Sequence, residues 1–265
     1  VGAGGPLGGL TTGEFNTAVG SAAMDAVTSG SSNVGVGVHA LSTLTDGGGN
    51  TAIGYQACYV STASHNTAVG YQTLLACTTG TENIAVGSYA LDTVTTGSYN
   101  HAIGVRCLQS CTTGQKNVFM GHNSGYYLTT GERNTAVGNY CMADAAVTGD
   151  NNCAYGDNAG RELTSGSENT FIGSQAGYNI TTGVSNVTVG RNAGYDLTTG
   201  GNNVFIGLSA GRTASPAGTV TTASNIVCLG NNSVTDLYCA DTSISSSDAR
   251  DKTDVEDFKY GLSWI

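Results

Sequence analysis

A short phrase, Asn-x-x-x-Gly, recurs along most of the chain and constrains its fold more than any other feature of the sequence. Twelve copies form a periodic series, and nine of the eleven intervals between their asparagines are 17 residues long, with one of 16 and one of 18. A fixed short period is typical of repeat proteins, in which each unit buries its apolar residues by stacking on its neighbours. The asparagines are Asn16, Asn33, Asn50, Asn66, Asn83, Asn100, Asn117, Asn134, Asn152, Asn169, Asn186 and Asn203.

Each repeat has further fixed features, which we number from its Asn as position 1. Position 5 is Gly, position 8 is almost always small, position 12 is often Leu, Ile or Val, and Thr-Thr-Gly or a near copy follows. Such a unit is too short for a two-helix repeat, which needs over about thirty residues, and a helix would lose about 1 kcal/mol at each Gly. The pattern predicts an all-β fold, a parallel β-solenoid of about twelve coils with strands of roughly three to five residues between tight corners.

The asparagines have two interpretations. Because equivalent positions lie above one another in a stack, we expect a structural ladder of Asn side chains whose amides hydrogen-bond from coil to coil. A row that binds a ligand or ion is the alternative, and the structural ladder is favoured. The Gly of Thr-Thr-Gly is expected to supply a positive φ at a corner. Small residues at position 8 would let a neighbouring strand or chain approach closely.

Composition narrows the classes of function. The chain has 265 residues with 40 Gly, 11% charged residues and a net charge of −10. A thin coil buries little apolar surface alone, so we expect oligomerisation. The acidic balance argues against nucleic acid as a partner, and no apolar stretch approaches the eighteen residues of a membrane span. No cofactor is expected, and the four histidines and eight cysteines lack metal-ligand spacing.

Cysteines and tyrosines are candidates for more specific roles. The simplest interpretation of the cysteines is buried free thiols that act as small hydrophobic residues, with bonds between chains near a symmetry axis as the alternative. Four tyrosines follow their Asn by nine residues and are expected at the surface, where they bind a sugar or a protein surface or only stabilise the stack. These tyrosines are Tyr59, Tyr126, Tyr178 and Tyr195.

The chain divides into four segments. Residues 1–15 are expected to be a partial repeat, with the natural chain extending upstream, and residues 16–211 to form the solenoid. Residues 212–246 are expected to contain an altered last coil and a β connector. Residues 247–265 are rich in charge at first and then apolar, which is typical of the start of another domain, and the remainder of that domain is expected beyond this sequence.

This last segment carries the most specific resemblance. The run Ser247-Asp248-Ala249-Arg250-Asp251-Lys252-Thr253-Asp254-Val255 resembles the opening of the endosialidase-type intramolecular chaperone domain of phage tail fibres and tailspikes. The residues from 260 to 265 continue that resemblance into its first helix. The repeats resemble those of tail fibres from phages of aquatic bacteria and, more distantly, the left-handed β-roll heads of trimeric autotransporter adhesins. The resemblance implies a left-handed, homotrimeric solenoid.

The resemblance also implies a chemistry. Chaperone domains of this type drive trimer assembly and then release themselves by cutting the chain at a Ser-Asp or Ser-Asn bond, which here would be the bond between Ser247 and Asp248. Ser247 would be the nucleophile and Lys252 its general base, a role that a lysine can take when burial lowers its pKa. The alternative is an ordinary helix start, capped by Ser247 and favoured by the charge of Asp248.

We therefore expect a trimeric phage tail fibre segment, located in the virion tail or extracellularly, that binds other tail proteins and a host-surface glycan or protein. A bacterial surface adhesin or filament is the first alternative. The second is a glycan-cleaving tailspike, which needs paired carboxylates about 5–9.5 Å apart. Its candidate acids lie at variable, corner-like places of the repeat: Asp144, Asp150, Asp157, Glu162 and Glu168.

Overall fold

The fold is a ladder of thirteen short parallel strands, one in each coil of a solenoid. A computed structural model describes residues 7–236. The strands pair in chain order in one 13-stranded sheet, and no helix occurs in this part of the chain. The predicted all-β parallel solenoid is therefore confirmed. The strands are β1 (Thr17–Val19), β2 (Val34–Val36), β3 (Thr51–Ile53), β4 (Thr67–Val69), β5 (Ile84–Val86), β6 (His101–Ile103), β7 (Val118–Met120), β8 (Thr135–Val137), β9 (Cys153–Tyr155), β10 (Thr170–Ile172), β11 (Val187–Val189), β12 (Val204–Ile206) and β13 (Val227–Leu229).

Equivalent repeat positions lie opposite one another throughout the sheet. Val86 pairs with Ile103, which pairs with Met120. The register also holds across the irregular coils, since Thr51 pairs with Thr67 after the 16-residue interval. The corners therefore absorb every difference in repeat length.

Each coil has a single strand because left-handed residues interrupt the rest of it. In one coil, Arg106, Leu108 and Lys116 have φ values of 56°, 51° and 58°. Positions 7, 9 and 17 take this conformation in coil after coil, and extended backbone cannot pass through them. The strands therefore have three residues each, the lower end of the expected range of three to five. The corners still bond from coil to coil, as where the N–H of Leu74 donates to the carbonyl of Ala90 at 3.0 Å.

The core is a narrow column in which positions 3 and 9 share a fixed volume. Ala102 is followed by Leu108 in one coil, and both are fully buried. Where position 3 is Phe171, position 9 is Gly177, and a Cβ on that Gly would lie 2.5 Å from the Phe171 ring. Close packing tolerates neither void nor overlap. Most coils thus carry either a small residue with a large one or Phe with Gly, while Gly160 and Gly194 lie against Phe171 and Phe205 of the next coil.

Two rows of glycine are required for different reasons. Gly104 at position 5 has φ +141°, and a Cβ there would lie 2.4 Å from the carbonyl oxygen of Gly121. Gly97 of a Thr-Thr-Gly run has no positive φ, contrary to our expectation, but its Cβ would lie 2.4 Å from the carbonyl oxygen of Gly114. The second row is glycine because stacked backbones approach too closely for a side chain. Small residues at position 8, such as Ala90, are fully buried inside the coil and are not available to another chain.

The last coil departs from the repeat. A loop after Gly211 carries Pro216, and the chain rejoins the stack at Val220, whose N–H donates to the Gly211 carbonyl at 2.9 Å. Ile226 then occupies position 1, because its N–H donates to Asn203 Oδ1 at 2.9 Å. Within residues 7–236, no helix has the length and apolarity needed to cross a membrane.

Candidate functional site

The asparagine row forms a continuous hydrogen-bonded ladder inside the solenoid. Asn100 Nδ2 donates to the Gly114 carbonyl at 2.8 Å and to Asn83 Oδ1 at 3.2 Å. Asn100 Oδ1 accepts from the backbone N–H and the Nδ2 of Asn117, at 3.2 and 3.0 Å. The eleven asparagines from Asn33 to Asn203 are buried, with at most 1% of their surface exposed. These side chains use their donors and acceptors on the protein itself, so they have a structural role and offer no atom to a ligand.

A second ladder was not anticipated from the sequence. The hydroxyl of Thr78 donates to the carbonyl of Thr95 at 3.0 Å, and that of Thr95 donates to the carbonyl of Thr112 at 3.2 Å. This position 13 row begins each Thr-Thr-Gly run. The recurrence of Thr was visible in the sequence, but its partner was not, because a hydroxyl can bond to many neighbouring groups.

The four predicted tyrosines are half buried and do not form one row. Tyr178 and Tyr195 stack on adjacent coils, with ring centroids 4.9 Å apart and planes at 19°. Tyr126 instead meets Tyr127 edge-on at 4.5 Å, and Tyr59 meets a histidine of the preceding coil edge-on at 5.9 Å. Three coils without a tyrosine at this position separate Tyr59 from Tyr126.

Two arginines occupy position 10 in coils where it is not tyrosine, and they pack against tyrosine rings. The guanidinium of Arg161 lies 5.2 Å from the ring centre of Tyr140 and 5.7 Å from that of Tyr178. Arg212 lies 4.5 Å from the ring centre of Tyr195, a cation–π distance. Burial raises the pKa of Tyr178, against the opposing effect of Arg161. The tyrosine–arginine corner, as we name it, comprises Tyr126, Tyr140, Arg161, Tyr178, Tyr195 and Arg212.

The largest feature of the surface is the outward strand face, formed by the first and third residues of strands β1 to β13. The middle residue of nearly every strand points into the core. Neither outward row contains Asp, Glu, Lys or Arg, although the chain has 28 such residues (19 acidic and 9 basic). Nine of the third residues expose between 36% and 57% of their surface. The first row includes five threonines and one histidine, whereas the third row consists of Val, Ile and Leu with one Met and one Tyr. A solvated sheet face normally carries polar side chains, so the apolar third row lacks them.

The face is also long. Thirteen strands spaced about 4.8 Å apart give a length of about 60 Å, and three residues give a width of about 10 Å. The projected area is therefore about 600 Å², of which the apolar third row forms only part. Exposed apolar residues two positions further along their coils extend it: Val38, Tyr55, Tyr71, Val105 and Leu208.

The cysteines divide into two groups. Six of the seven in the described part are buried free thiols, as predicted: Cys58, Cys77, Cys107, Cys111, Cys141 and Cys228. Burial raises the pKa of Cys107 to about 12 and that of Cys58 to about 11, which makes these thiols unreactive. Cys153, the first residue of β9, is only half buried and lies on the outward strand face.

Three of the candidate acids contact neighbouring donors. Asp144 accepts from Arg161 Nε at 2.5 Å, while Asp150 lies 3.6 Å from Arg133 and accepts from a backbone N–H. Glu168 accepts from the hydroxyl of Ser185 at 3.1 Å. Among residues 7–236, no three His, Cys, Asp or Glu side chains are grouped to hold a metal ion.

The predicted processing residues Ser247, Asp248 and Lys252 lie outside the described residues. Comparison with protein-family models, with curated proteins and with solved structures gives no match. The function of the chain is therefore argued from its own surfaces and from the residues of its C-terminal motif.

Proposed function

We propose that this chain is the shaft of a trimeric attachment fibre, a bacteriophage tail fibre that works on the virion or outside the cell. The observation that carries the proposal is the outward strand face, which is uncharged over all thirteen strands. Burial of apolar surface stabilises association by roughly 25 cal/mol per Å². A face of this size left in water would be a liability for solubility.

A second and third copy of the same chain are the partners that fit this face. A rigid row about 60 Å long needs a partner with an equally long, straight and apolar surface, and the chain itself has one. Parallel copies around a rotation axis bring equivalent coils to the same height and close the assembly. The number three comes from the resemblance of the repeats and of the C-terminal motif to trimeric fibres.

The rest of the surface supports contact with other molecules. The tyrosine–arginine corner lies in a different part of each coil from the outward strand face, so assembly leaves it for a host-surface glycan or protein. Other tail proteins would join the shaft at its ends. A bacterial surface adhesin would use the same rod, and the processing motif at residues 247–252 favours the phage fibre over that alternative.

Sedimentation together with thiol labelling tests the shaft. We expect the full chain to sediment as a trimer at micromolar concentration. In the trimer Cys153 should be protected from maleimide, and it should react when the assembly is dissociated by dilution. Peptide mapping distinguishes Cys153 from the six buried thiols, which serve as internal controls. A stable monomer whose Cys153 reacts freely would contradict the proposal.

Intact mass tests the proposed processing. In a chain expressed with its complete C-terminal domain, we expect a product that ends at Ser247, and we expect the Ser247→Ala variant to remain uncut because it lacks the nucleophile. Lys252→Arg keeps the charge but removes the general base, so it should also remain uncut. An uncut parent chain would leave the shaft intact and favour the adhesin alternative.

A further inference from the structure

The 18-residue repeat interrupts the tyrosine–arginine corner. Between Cys141 and Val147 lie five residues, where regular coils have three. Val147 returns to register by bridging to Leu128, so the extra length forms a bulge over residues 143–146. Ala143 takes position 10, which is Tyr126 in the preceding coil.

A cleft lies beside this small residue, lined by residues of three successive coils. The cleft has a volume of about 280 Å³. Tyr126, Tyr127 and Tyr140 contribute to its walls together with Asn123 and Asp144. Tyr127 exposes 47% of its surface, so a ring face is accessible to a ligand. The volume matches a single small ring rather than an extended peptide.

The polar groups of the cleft are arranged around these rings. Asn123 lines the cleft, but its Oδ1 is shielded from solvent, so this atom is not offered to a ligand. Asp144 is held by Arg161 and retains further acceptor capacity. Arg106 lines the cleft, supplies several N–H donors, and makes no ion pair within 4.0 Å among residues 7–236.

We propose that this cleft binds one pyranose residue of a glycan chain. A pyranose has an apolar C–H surface, which suits a tyrosine ring, and hydroxyls that both donate and accept. Its hydroxyls can donate to Asp144 and accept from Arg106. An inorganic ion would leave the tyrosine rings unused, and an apolar ligand would deprive Arg106 and Asp144 of hydrogen bonds that they otherwise make with water. The inference deepens the proposed attachment function and depends on it only for the source of the glycan.

Saturation-transfer NMR with five methyl glycosides tests the cleft. The probes are those of glucose, galactose, mannose, N-acetylglucosamine and glucuronic acid. For a ligand of this size we expect a dissociation constant on the order of 1 mM for at least one of them. Replacing Ala143 by Tyr should weaken binding at least tenfold, because the new ring occupies the cleft. Ala143 is buried, so far-UV circular dichroism must show that this variant keeps the parent fold, and a variant at an exposed position provides the independent test.

Two further variants keep the result interpretable. Tyr127→Ala removes one ring of the cleft and should also weaken binding. Tyr99→Ala removes a ring with a similar exposed fraction, 46%, that does not line the cleft, and it should bind as the parent does. Absence of saturation transfer from all five probes, or equal transfer to the parent and Ala143→Tyr, would overturn the proposal. Sedimentation of the same samples separates the two ideas: a trimer without binding contradicts only the glycan site, and a monomer that binds contradicts only the shaft.

Discussion

Replacing Ile103 and Met120 by glutamate is expected to convert the assembled chain into monomers. The two residues are paired on neighbouring strands of the outward strand face, and each exposes 40% of its surface in the single chain. Assembly would bury their carboxylates against apolar side chains with no cation in either outward row. An uncompensated buried charge costs about 3–5 kcal/mol, so we expect association to weaken by more than about 100-fold.

Sedimentation velocity over a range of concentrations measures this effect. The matched control is Thr113→Glu with Thr130→Glu, which adds the same charge to the same two coils at exposed positions outside the face. Both double variants should retain the far-UV circular dichroism of the parent, since the altered side chains point away from the core. If the Ile103→Glu, Met120→Glu chain assembles like the control, the outward strand face is not the interface.

The period of the sequence was sufficient to predict the class of fold. Asn at position 1 and Gly at position 5 bracket the strand of each coil from β1 to β12, whereas the pattern predicted strands between tight corners without fixing their place in the repeat. The sequence did not reveal the left-handed corners. Residues such as Arg106, Leu108 and Lys116 normally avoid positive φ, and here the stack of coils imposes it on them. The conformational preferences of these residues therefore do not predict a positive φ that only the tertiary structure imposes.

The exposed surfaces were harder to predict from the sequence than the asparagine ladder. Strand residues such as Ile84, Ala85 and Val86 are all apolar, so alternation could not show which of them point outward. The Phe171 and Gly177 pairing identifies position 3 as the inward one, but recognising it requires knowing that positions 3 and 9 meet. The role of Arg161 was not predicted, because only the tyrosines at position 10 were considered. Arginine can also pack beside an aromatic ring at that position.

Replacing Asn100 by alanine is expected to lower the free energy of unfolding by about 3–5 kcal/mol. The change leaves the Gly114 carbonyl and the Asn117 N–H without these partners in a buried environment. Each buried group that loses its partner costs about 1–3 kcal/mol, and the smaller side chain adds a cavity. The effect is therefore a large fraction of the 5–15 kcal/mol that stabilises an ordinary domain.

Denaturant unfolding combined with hydrogen exchange measures this cost. Repeat arrays can lose cooperativity, so exchange of the amides in the coils of Asn83, Asn100 and Asn117 shows whether the ladder opens locally before the whole stack unfolds. The control is Asn139→Ala, which removes an exposed amide that accepts a single backbone N–H at 3.2 Å and should change stability by less than about 0.5 kcal/mol. Equal stability of the two variants would mean that water replaces the ladder bonds. The stack would then be held together by its backbone and its narrow apolar core alone.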